Sequence, residues 1–465
     1  MNHNSVTASV VMIAGLGITY LFLPSGDSLA IFQIAAVGAA LALGAGLLLE
    51  AQGARSVRSL VRTDLLMIAA LFGLTLLEFF FQQDAVKRLV SAESALNGVE
   101  ALFLGFCGLI IGRHLAPRTN PVMASSVPVH WGPNTLFRIY LASLFAGYFI
   151  MLWSVGFDPV ELTKQMLRPR FSQPWARGQY GGLGEMIGEL GGLFRYLIPA
   201  IAGSVLARPS RSTRFQTVIV ALGLLFTLFY GFTSGTRNVF LIYVLIFIVS
   251  YILQKPQISW KRVAVIASVG AIGFYAASYY MLQFRTVGLD RYVAASGDVQ
   301  GYKSETLFID YNLPVISNLT KVFPDRIDYL GLEFATYAAL RPVPRAIWPG
   351  KPEELSITAE RALGAKGLTL ASTFVGEAYM MGGFIAVTLV GILFGYAAGW
   401  WNHLGSGMRS NASIILYAAG FFAAALSMRS MVFTTTAMIP VIAVWIYTRY
   451  SSQSGQRQPA NRSRP

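Results

Sequence analysis

Long apolar runs recur along this chain from one end to the other, and short polar connections separate most of them. Each run is long enough to cross the roughly 30 Å of hydrocarbon in a bilayer as a helix. We therefore predict an all-α polytopic membrane protein with about twelve transmembrane helices. The predicted spans lie near residues 5–23, 28–50, 63–81, 96–113, 135–156, 187–207, 216–233, 238–254, 263–284, 378–401, 411–428 and 431–448.

One long polar segment interrupts this pattern and divides the chain into four predicted regions. These are 1–284 with nine spans, 285–377 as a large extracytoplasmic loop, 378–448 with three spans, and 449–465 as a disordered basic tail. Within the loop, apolar spacing predicts helices over 307–323 and 329–340. The second of these fits either a helix lying flat at the membrane interface or an ordinary packed helix.

The basic residues between the spans lie mainly on one side of this topology. The chain is 54% hydrophobic and 12% charged, with a net charge of +14. The positive-inside rule makes the basic side cytoplasmic, which places both termini in the cytoplasm and the long loop outside. Topology thus explains much of the positive charge, and no nucleic-acid partner is expected. The cations that decide the orientation include Arg58, Arg62, Arg113, Arg208, Arg211, Arg214, Lys255, Lys261, Arg262, Arg409 and Arg449.

Cysteine and histidine usage exclude several kinds of site. Cys107 is the single cysteine and lies inside a predicted span, so an intrachain disulfide is excluded. The four histidines, His3, His114, His130 and His403, fall at predicted cytoplasmic ends without metal-ligand spacing. We therefore expect no cofactor and no His/Cys metal site, whereas Mg²⁺ bound by carboxylates stays open.

The most distinctive part of the long loop reads Arg-Pro-Val-Pro-Arg-Ala-Ile-Trp-Pro-Gly-Lys-Pro over residues 341–352. Proline fixes φ and reduces the entropy that a loop loses when it becomes ordered. The segment can therefore hold Arg341, Arg345 and Lys351 in defined places. Because guanidinium groups suit phosphate geometry, we predict an anionic, lipid-borne substrate.

Three further charged residues are predicted at the outer ends of spans. Arg237 lies in the turn between spans seven and eight, and Arg429 occupies the equivalent turn between spans eleven and twelve. Each is either a functional cation or an arginine whose charged end reaches the membrane surface. Glu377 opens span ten, where a helix N-terminus favours an anion. Its functional alternative is a general base or an orienter of arginines.

The outer loop before span six is basic and contains aromatic residues, and it includes Arg170 and Arg177. This segment either binds a sugar chain or a pyrophosphate, or contacts anionic lipid head groups. Arg195 lies within span six itself. Because a charge at that depth needs a partner, we expect a structural ion pair with Glu189.

Several of these segments resemble one family. The 341–352 segment, Gly-Glu-Ala-Tyr at 376–379 and the glycine pair at 382–383 are similar to the oligosaccharide repeat-unit polymerases, the Wzy-type enzymes. Ser-Gly-Thr-Arg at 234–237 is similar to another signature of that family. The Pro-Arg-x-x-Trp-Pro-x-Lys-Pro pattern is the specific part of the resemblance.

The resemblance implies a GT-C-like membrane enzyme that joins repeat units into O antigen, capsule or exopolysaccharide at the outer face of a bacterial plasma (inner) membrane. Guanidinium groups would stabilise the charge on a leaving polyprenyl pyrophosphate without a metal, and Glu377 would take a proton. The expected catalytic residues are Glu377, Arg237, Arg341 and Arg345, and the expected substrate-binding residues are Lys351, Arg429, Arg170, Arg177 and Asp310. The expected partners are polyprenyl-pyrophosphate-linked oligosaccharides, the lipid bilayer, a chain-length regulator and a flippase.

Two other functions fit parts of the pattern. O-antigen ligases resemble this chain in having a large outer loop, but they typically carry a histidine there, and the 285–377 loop has none. A lipid-linked oligosaccharide flippase or transporter is the alternative from a different class. A transporter with matching halves would show a long cytoplasmic linker between spans six and seven, whereas this connection is short.

Overall fold

The computed structural model of the chain describes residues 3–54, 56–81, 83–117, 130–176, 183–255, 258–284, 287–295, 311–343, 348, 350–352, 354–365, 370–406 and 410–456. Every regular element in these residues is a helix, which confirms the predicted all-α class.

The longer helices are α1 (His3–Leu21), α2 (Ser28–Gln52), α3 (Thr63–Thr75), α4 (Ala92–Leu115), α5 (Pro133–Ser154), α6 (Leu183–Leu193), α7 (Leu197–Leu206), α8 (Arg214–Thr233), α9 (Arg237–Gln254), α10 (Trp260–Phe284), α11 (Asn312–Val322), α12 (Leu332–Leu340), α13 (Thr373–Ser406), α14 (Asn411–Arg429) and α15 (Ile439–Gln456). Shorter α-helical segments are Val86–Leu89, Pro159–Met166, Leu289–Ala294, Ala359–Ala362 and Thr434–Ala437. The 3-10 turns are Val57–Leu60, Leu77–Phe80, Arg170–Ser172, Phe194–Tyr196, Pro209–Arg211 and Met431–Phe433.

Ten helical segments in the described part of the chain are long and apolar enough to cross a membrane. Each coincides with a predicted span, and α6 and α7 together form one of them across a 3-10 turn. The first and third predicted spans correspond to shorter apolar helices, Ser5–Leu21 and Thr63–Thr75. The chain is therefore a polytopic α-helical membrane protein.

Polar residues just before the apolar runs set several of the helix starts. The Asp27 carboxylate accepts a hydrogen bond from the Leu29 N–H at the start of α2, and the Ser91 hydroxyl caps α4. Thr213 and Gln216 form a capping box at the start of α8. These side chains replace the intrahelical partners that the first N–H groups of a helix lack.

Both helices predicted in the long loop are present, with shorter bounds. α11 is almost entirely buried, and Leu313 and Ile316 are completely inaccessible. In α12, Phe334 is buried, whereas Leu332 is 75% exposed. α12 therefore packs through few residues. The predicted residues before 311 lie outside the described part of the chain.

The chain divides into two compact units. Unit 1 comprises Met1–Arg118, Glu305–His403 and Ala423–Thr436, and unit 2 comprises Thr119–Ser304, Leu404–Phe422 and Ala437–Pro465. In unit 1, α4 and α13 approach closely along glycines. A Cβ on Gly112 would lie 2.1 Å from the Ile392 carbonyl oxygen, and a Cβ on Gly395 would lie 2.3 Å from the Leu109 carbonyl oxygen. Small residues at such crossings let helix backbones pack directly in a membrane.

Polar side chains link the helices of unit 2. The Tyr140 hydroxyl donates to the Val220 carbonyl oxygen at 2.8 Å, which joins α5 to α8. Ser250 on α9 donates to the Ala200 carbonyl oxygen on α7 at 2.6 Å. The Asn411 amide exchanges two hydrogen bonds with the backbone of Trp131. Such hydrogen bonds satisfy polar groups, which the hydrocarbon of a bilayer cannot do because it has no donors or acceptors.

Candidate functional site

α13 is interrupted by the glycine pair that the sequence singles out. Gly383 has φ +65° and ψ −154°, a backbone region that is essentially restricted to glycine. A Cβ there would also lie 2.6 Å from the Tyr329 hydroxyl oxygen. The helix begins at Thr373, upstream of the predicted span start at residue 378, and the glycine pair breaks it into two segments.

The break exposes backbone carbonyls that a continuous helix would satisfy internally. The loop before α12 supplies two donors: the Leu330 N–H bonds to the Met380 oxygen and the Gly331 N–H bonds to the Met381 oxygen, both at 2.9 Å. α12 begins at the next residue, Leu332. The first segment of α13 and the start of α12 are thus held together by the backbone.

Glu377 lies on the first segment of α13, five residues before Gly382. Its Oε1 accepts a hydrogen bond from the Ser430 hydroxyl and its Oε2 accepts one from the Met431 N–H, each at 2.5 Å. The carboxylate therefore stabilises the start of the Met431–Phe433 turn, rather than the N-terminus of its own helix. A carboxylate has about four acceptor positions, so it retains acceptor capacity for a further donor.

Arg341 directly follows α12 and lies beside the same turn. Its guanidinium carbon lies 3.9 Å from the centroid of the Phe433 ring, a cation–π contact. In addition, the Thr435 hydroxyl donates to the Ala338 carbonyl oxygen at 2.5 Å, which fastens the end of α12 to this region.

Lys351 closes the loop that follows α12. Its Nζ donates to the carbonyl oxygens of Arg341 and Val343 at 2.8 and 2.9 Å. A lysine at the C-terminal end of a helix satisfies carbonyls that have lost their helical partners. Lys351 thus holds the backbone that carries Arg341, and its predicted contact with substrate stays a prediction.

We call Glu377, Arg341, Lys351, Ser430 and Phe433 the Glu377 cluster. Arg429, the last residue of α14, directly precedes Ser430 and so lies at the edge of this cluster. Unit 1 therefore brings together four of the predicted site residues: Glu377, Arg341, Lys351 and Arg429.

Two other predicted residues, Arg170 and Arg237, are brought near each other in unit 2 through Thr236. The Arg170 Nη1 donates to the Thr236 hydroxyl oxygen at 2.8 Å, and Arg237 follows Thr236 as the first residue of α9. Gly235 in the same turn has φ +63°, which permits the tight reversal between α8 and α9. Arg345, Arg177 and Asp310 lie outside the described residues.

The charge of Arg195 is accommodated differently from the prediction. Its guanidinium carbon lies 4.7 Å from the Tyr230 ring centroid and 5.8 Å from the Tyr148 ring centroid. Its Nε donates to the Gly192 carbonyl oxygen at 3.0 Å and its Nη1 lies 3.4 Å from the Met151 sulfur. We call these five residues the Arg195 box. The predicted ion pair with Glu189 does not occur among the described ion pairs, and Glu189 is exposed.

Unit 1 contains a buried ionic cluster that was not predicted from the sequence. Arg113 contacts Glu50 at 3.0 Å and Asp64 at 3.2 Å, and Arg62 pairs with the same two carboxylates. The Asn402 amide donates to Asp64 as well. Arg62 and Arg113 were expected only as topological cations. The signal that could have revealed the cluster is an acid at the end of α2 and another at the start of α3, each beside an apolar run.

Glu78 is a further buried acid that was not predicted from the sequence. It is 5% exposed, and its Oε2 accepts a hydrogen bond from the Tyr311 N–H at 3.2 Å just before α11. Burial and the neighbouring Glu78 carboxylate raise the pKa of Tyr311 above its ordinary value. Glu78 therefore holds the loop residue from which α11 starts.

Comparison of the chain with protein-family profiles, curated proteins and solved structures finds no match. In the described residues, no three His, Cys, Asp or Glu side chains converge as a metal site would require. Function is therefore inferred from the geometry within each unit. A carboxylate and a guanidinium that contact the same turn can serve as a proton acceptor and as a stabiliser of a developing anion.

Proposed function

We propose that this protein polymerises polyprenyl-pyrophosphate-linked oligosaccharide repeat units into a surface polysaccharide. The observation that carries this proposal is the Glu377 cluster, in which the Glu377 carboxylate accepts from Ser430 and Met431 while the Arg341 guanidinium contacts the Phe433 ring of the same turn. The two charged residues come from segments that resemble the repeat-unit polymerases, and they are far apart in the sequence. Their convergence supports a common role.

The proposed reaction is a glycosyl transfer that needs no metal. A hydroxyl oxygen of the acceptor sugar forms a bond to the anomeric carbon of the donor glycan, and the bond from that carbon to the pyrophosphate oxygen breaks. The polyprenyl pyrophosphate leaves with the bonding electron pair. Arg341 stabilises the charge on the leaving group, and the acceptor proton passes to the Glu377 carboxylate.

The contacts of the Glu377 cluster fix the positions of the two proposed catalytic side chains. Glu377 is anchored by two hydrogen bonds, so its remaining acceptor positions point in fixed directions. The Arg341 guanidinium contacts the Phe433 ring, and Lys351 donates a hydrogen bond to the Arg341 carbonyl oxygen. Preorganised groups of this kind need little rearrangement as charge develops. Arg429, Arg345, Arg237 and Arg170 are the further cations proposed for the pyrophosphate.

The proposal includes a topology. Twelve spans with both termini in the cytoplasm would place residues 285–377, and with them Arg341, at the outer face of a bacterial plasma membrane. Repeat units carried by a flippase would arrive on that face, and a chain-length regulator would set when a chain is released. The loop helices α11 and α12 would then lie outside the hydrocarbon.

The alternative function is a lipid-linked oligosaccharide flippase, and one observation favours it. The glycine break in α13 produces a discontinuous helix within a candidate span. Discontinuous helices form the binding sites of many transporters, because their free ends offer backbone groups to a ligand. In this chain, however, Leu330 and Gly331 already occupy two carbonyls at the break.

The deciding experiment uses a strain that lacks this protein, complemented with single variants. We expect single repeat units on the outer face without a polymer ladder in the deletion strain, and a restored ladder with the wild-type chain. Repeat units trapped on the cytoplasmic leaflet would instead show a flippase. An unchanged ladder in the deletion strain would contradict both functions.

Matched variants test the site itself. We expect Glu377→Gln and Arg341→Ala each to lower polymerisation by about 10²–10³-fold, since each removes a proton acceptor or an electrostatic donor. The controls are Glu360→Gln, whose carboxylate accepts from the Leu370 N–H, and Arg361→Ala, which breaks an exposed pair with Glu354. Both controls should retain the ladder. Equal effects in the controls and the site variants would remove Glu377 and Arg341 from the mechanism.

A further inference from the structure

His114 lies beside the ionic cluster of unit 1 and is tied to it by polar contacts. It follows Arg113 near the end of α4 and is half-buried. Its Nε2 lies 2.6 Å from the Ser9 hydroxyl oxygen on α1 and 3.3 Å from the Arg113 Nε. We call Ser5, Ser9, Arg113 and His114 the His114 junction. The proposed glycosyl transfer does not use this histidine.

The contact with Arg113 determines which ring nitrogen of His114 carries a hydrogen. A guanidinium can only donate hydrogen bonds, so the Nε2 atom that accepts from the Arg113 Nε carries none. The imidazole is therefore neutral, with its single hydrogen on Nδ1. Nδ1 is buried and has no hydrogen-bond partner within the described part of the chain. The contacts at Nε2 alone thus select this tautomer.

The same contacts join α1 to α4. The Ser9 hydroxyl oxygen accepts hydrogen bonds from the Nε and the Nη2 of Arg113, the first at 3.1 Å. The Arg113 Nη2 also donates to the Ser5 carbonyl oxygen at 3.2 Å, and the Ser5 hydroxyl donates to Glu50 at 3.0 Å. Both serines are 5% exposed. The His114 junction therefore connects the start of α1 to the ionic cluster.

The charged groups that act most strongly on His114 are those of the ionic cluster. Arg113 and Arg62 oppose a positive charge on the imidazole, whereas Asp64 and Glu50 favour one. The two carboxylates are already bound by the two arginines. Of these four groups, Arg113 is the one with a described contact to the ring. A proton on Nε2 would set a positive charge and an N–H against the Arg113 Nε–H, so repulsion by Arg113 outweighs the attraction of the carboxylates.

We propose that His114 is a pH sensor that loosens the His114 junction when it becomes protonated. The imidazolium is repelled by Arg113, and the contacts through which both side chains hold Ser9 are weakened together. In the proposed topology this end of α4 faces the cytoplasm, so the sensed variable is cytoplasmic pH. The sensor does not depend on the proposed polymerase activity.

The sign of the pH effect follows from proton linkage. The unfolded chain takes up a proton on His114 near pH 6.5, about the usual range of an exposed histidine, whereas the folded junction resists protonation. The free energy of unfolding should therefore fall as the pH falls from about 7.5 to about 5.5. One such proton changes the unfolding equilibrium constant by at most about tenfold per pH unit.

SDS titration of the full chain in mixed micelles, at pH values between 7.5 and 5.5, measures this effect. Over this range we expect the unfolding equilibrium constant of the wild type to rise at least about fivefold more than that of His114→Gln. Glutamine keeps an acceptor for Arg113 but cannot become charged. His130→Gln is the matched control, because His130 is exposed, and it should retain the wild-type pH dependence. Equal pH dependence in the wild type and His114→Gln, or the opposite sign, would overturn the proposal.

Ser9→Ala separates a pH sensor from a histidine that only supports the fold. The variant loses the hydroxyl that Arg113 and His114 share, so we expect a lower free energy of unfolding at pH 7.5. Because Arg113 still faces His114, the pH dependence should persist in Ser9→Ala. A variant that loses the pH dependence together with the hydroxyl would contradict a sensor based on repulsion by Arg113.

The tautomer of His114 provides a second measurement, which needs no substitution of His114 itself. NMR spectra of the isotope-labelled histidine rings in the wild-type protein distinguish a hydrogen on Nδ1 from one on Nε2. The signals of the other histidines are identified with His3→Gln, His130→Gln and His403→Gln. We expect the His114 hydrogen on Nδ1 at pH 7.5. A hydrogen on Nε2 at that pH would overturn the proposal, since Arg113 could not then donate to the ring.

Discussion

Unit 1 and unit 2 each contain an arginine within an apolar helix bundle, and they accommodate it in opposite ways. The Arg113 side chain is 1% exposed and contacts two carboxylates, Glu50 and Asp64. The described contacts of Arg195 are uncharged, and two of them are tyrosine rings. A paired cation is committed to the fold, whereas a cation surrounded by neutral groups still has charge to offer a ligand. The difference separates an arginine held by ion pairs from one held by aromatic rings and a backbone carbonyl.

The ionic cluster of unit 1 also shows why burial alone does not indicate function. Arg62 and Arg113 together balance the charges of Glu50 and Asp64. The Ser5 hydroxyl donates to Glu50 and Asn402 donates to Asp64, so the carboxylates are also hydrogen-bonded. Such a network joins helices from distant parts of the sequence. Because its two positive and two negative charges balance, the cluster offers no net charge to a substrate.

The largest effect on stability is expected from Arg113→Ala. This change leaves two buried carboxylates with only Arg62 as a cationic partner, and breaking a buried pair in this way costs about 3–5 kcal/mol. The free energy of unfolding, measured by SDS titration of the protein in mixed micelles, provides the test. A loss below about 1 kcal/mol would contradict the view that this cluster holds unit 1 together.

A smaller effect is expected from Arg195→Gln. The variant loses cation–π contacts with Tyr230 and Tyr148, worth about 0.5–2 kcal/mol, but it strands no opposite charge. The same SDS titration should therefore show a clearly smaller loss than Arg113→Ala. Tyr230→Phe keeps the ring and should match the wild type, whereas Tyr230→Leu should approach Arg195→Gln. A loss as large as that of Arg113→Ala would show that Arg195 is structural.

The smallest effect is expected from Lys87→Ala. Lys87 pairs with Asp27 at 3.4 Å, and the two side chains are 51% and 48% exposed. Exposed pairs contribute about 0–1 kcal/mol because solvent screens them. The free energy of unfolding, measured in 0.1 and in 0.5 M NaCl, should differ little between this variant and the wild type. A loss comparable with that of Arg113→Ala would mean that exposure does not distinguish these ion pairs.

The Glu377 cluster was partly predictable from the sequence. The segments around Arg341 and Glu377 stood out by composition and by resemblance to one family, and they do converge in unit 1. The contacts that organise them were not predictable. Ser430 contacts Glu377, and Phe433 contacts Arg341, only after the chain has folded. The same holds for the hydrogen bonds from the Leu330 and Gly331 backbone to α13.

The prediction for Arg195 was wrong for a geometric reason. Glu189 stands six positions before Arg195, and residues at that spacing do not share a helix face as those three or four apart do. The tyrosines that replace it come from α5 and α8. A partner search along one helix could not find them, since their proximity depends on how α5, α8 and the Phe194–Tyr196 turn pack.

The sequence by itself determined that this is an all-helical, polytopic membrane protein with a basic, proline-rich segment in a long polar connection. These properties follow from runs of apolar residues and from local composition, which need no knowledge of packing. Only the tertiary structure decided which charges neutralise one another and which contact uncharged groups. Charge pairing depends on side chains from helices distant in the sequence, and in a low-dielectric interior a separation of a few ångströms decides it.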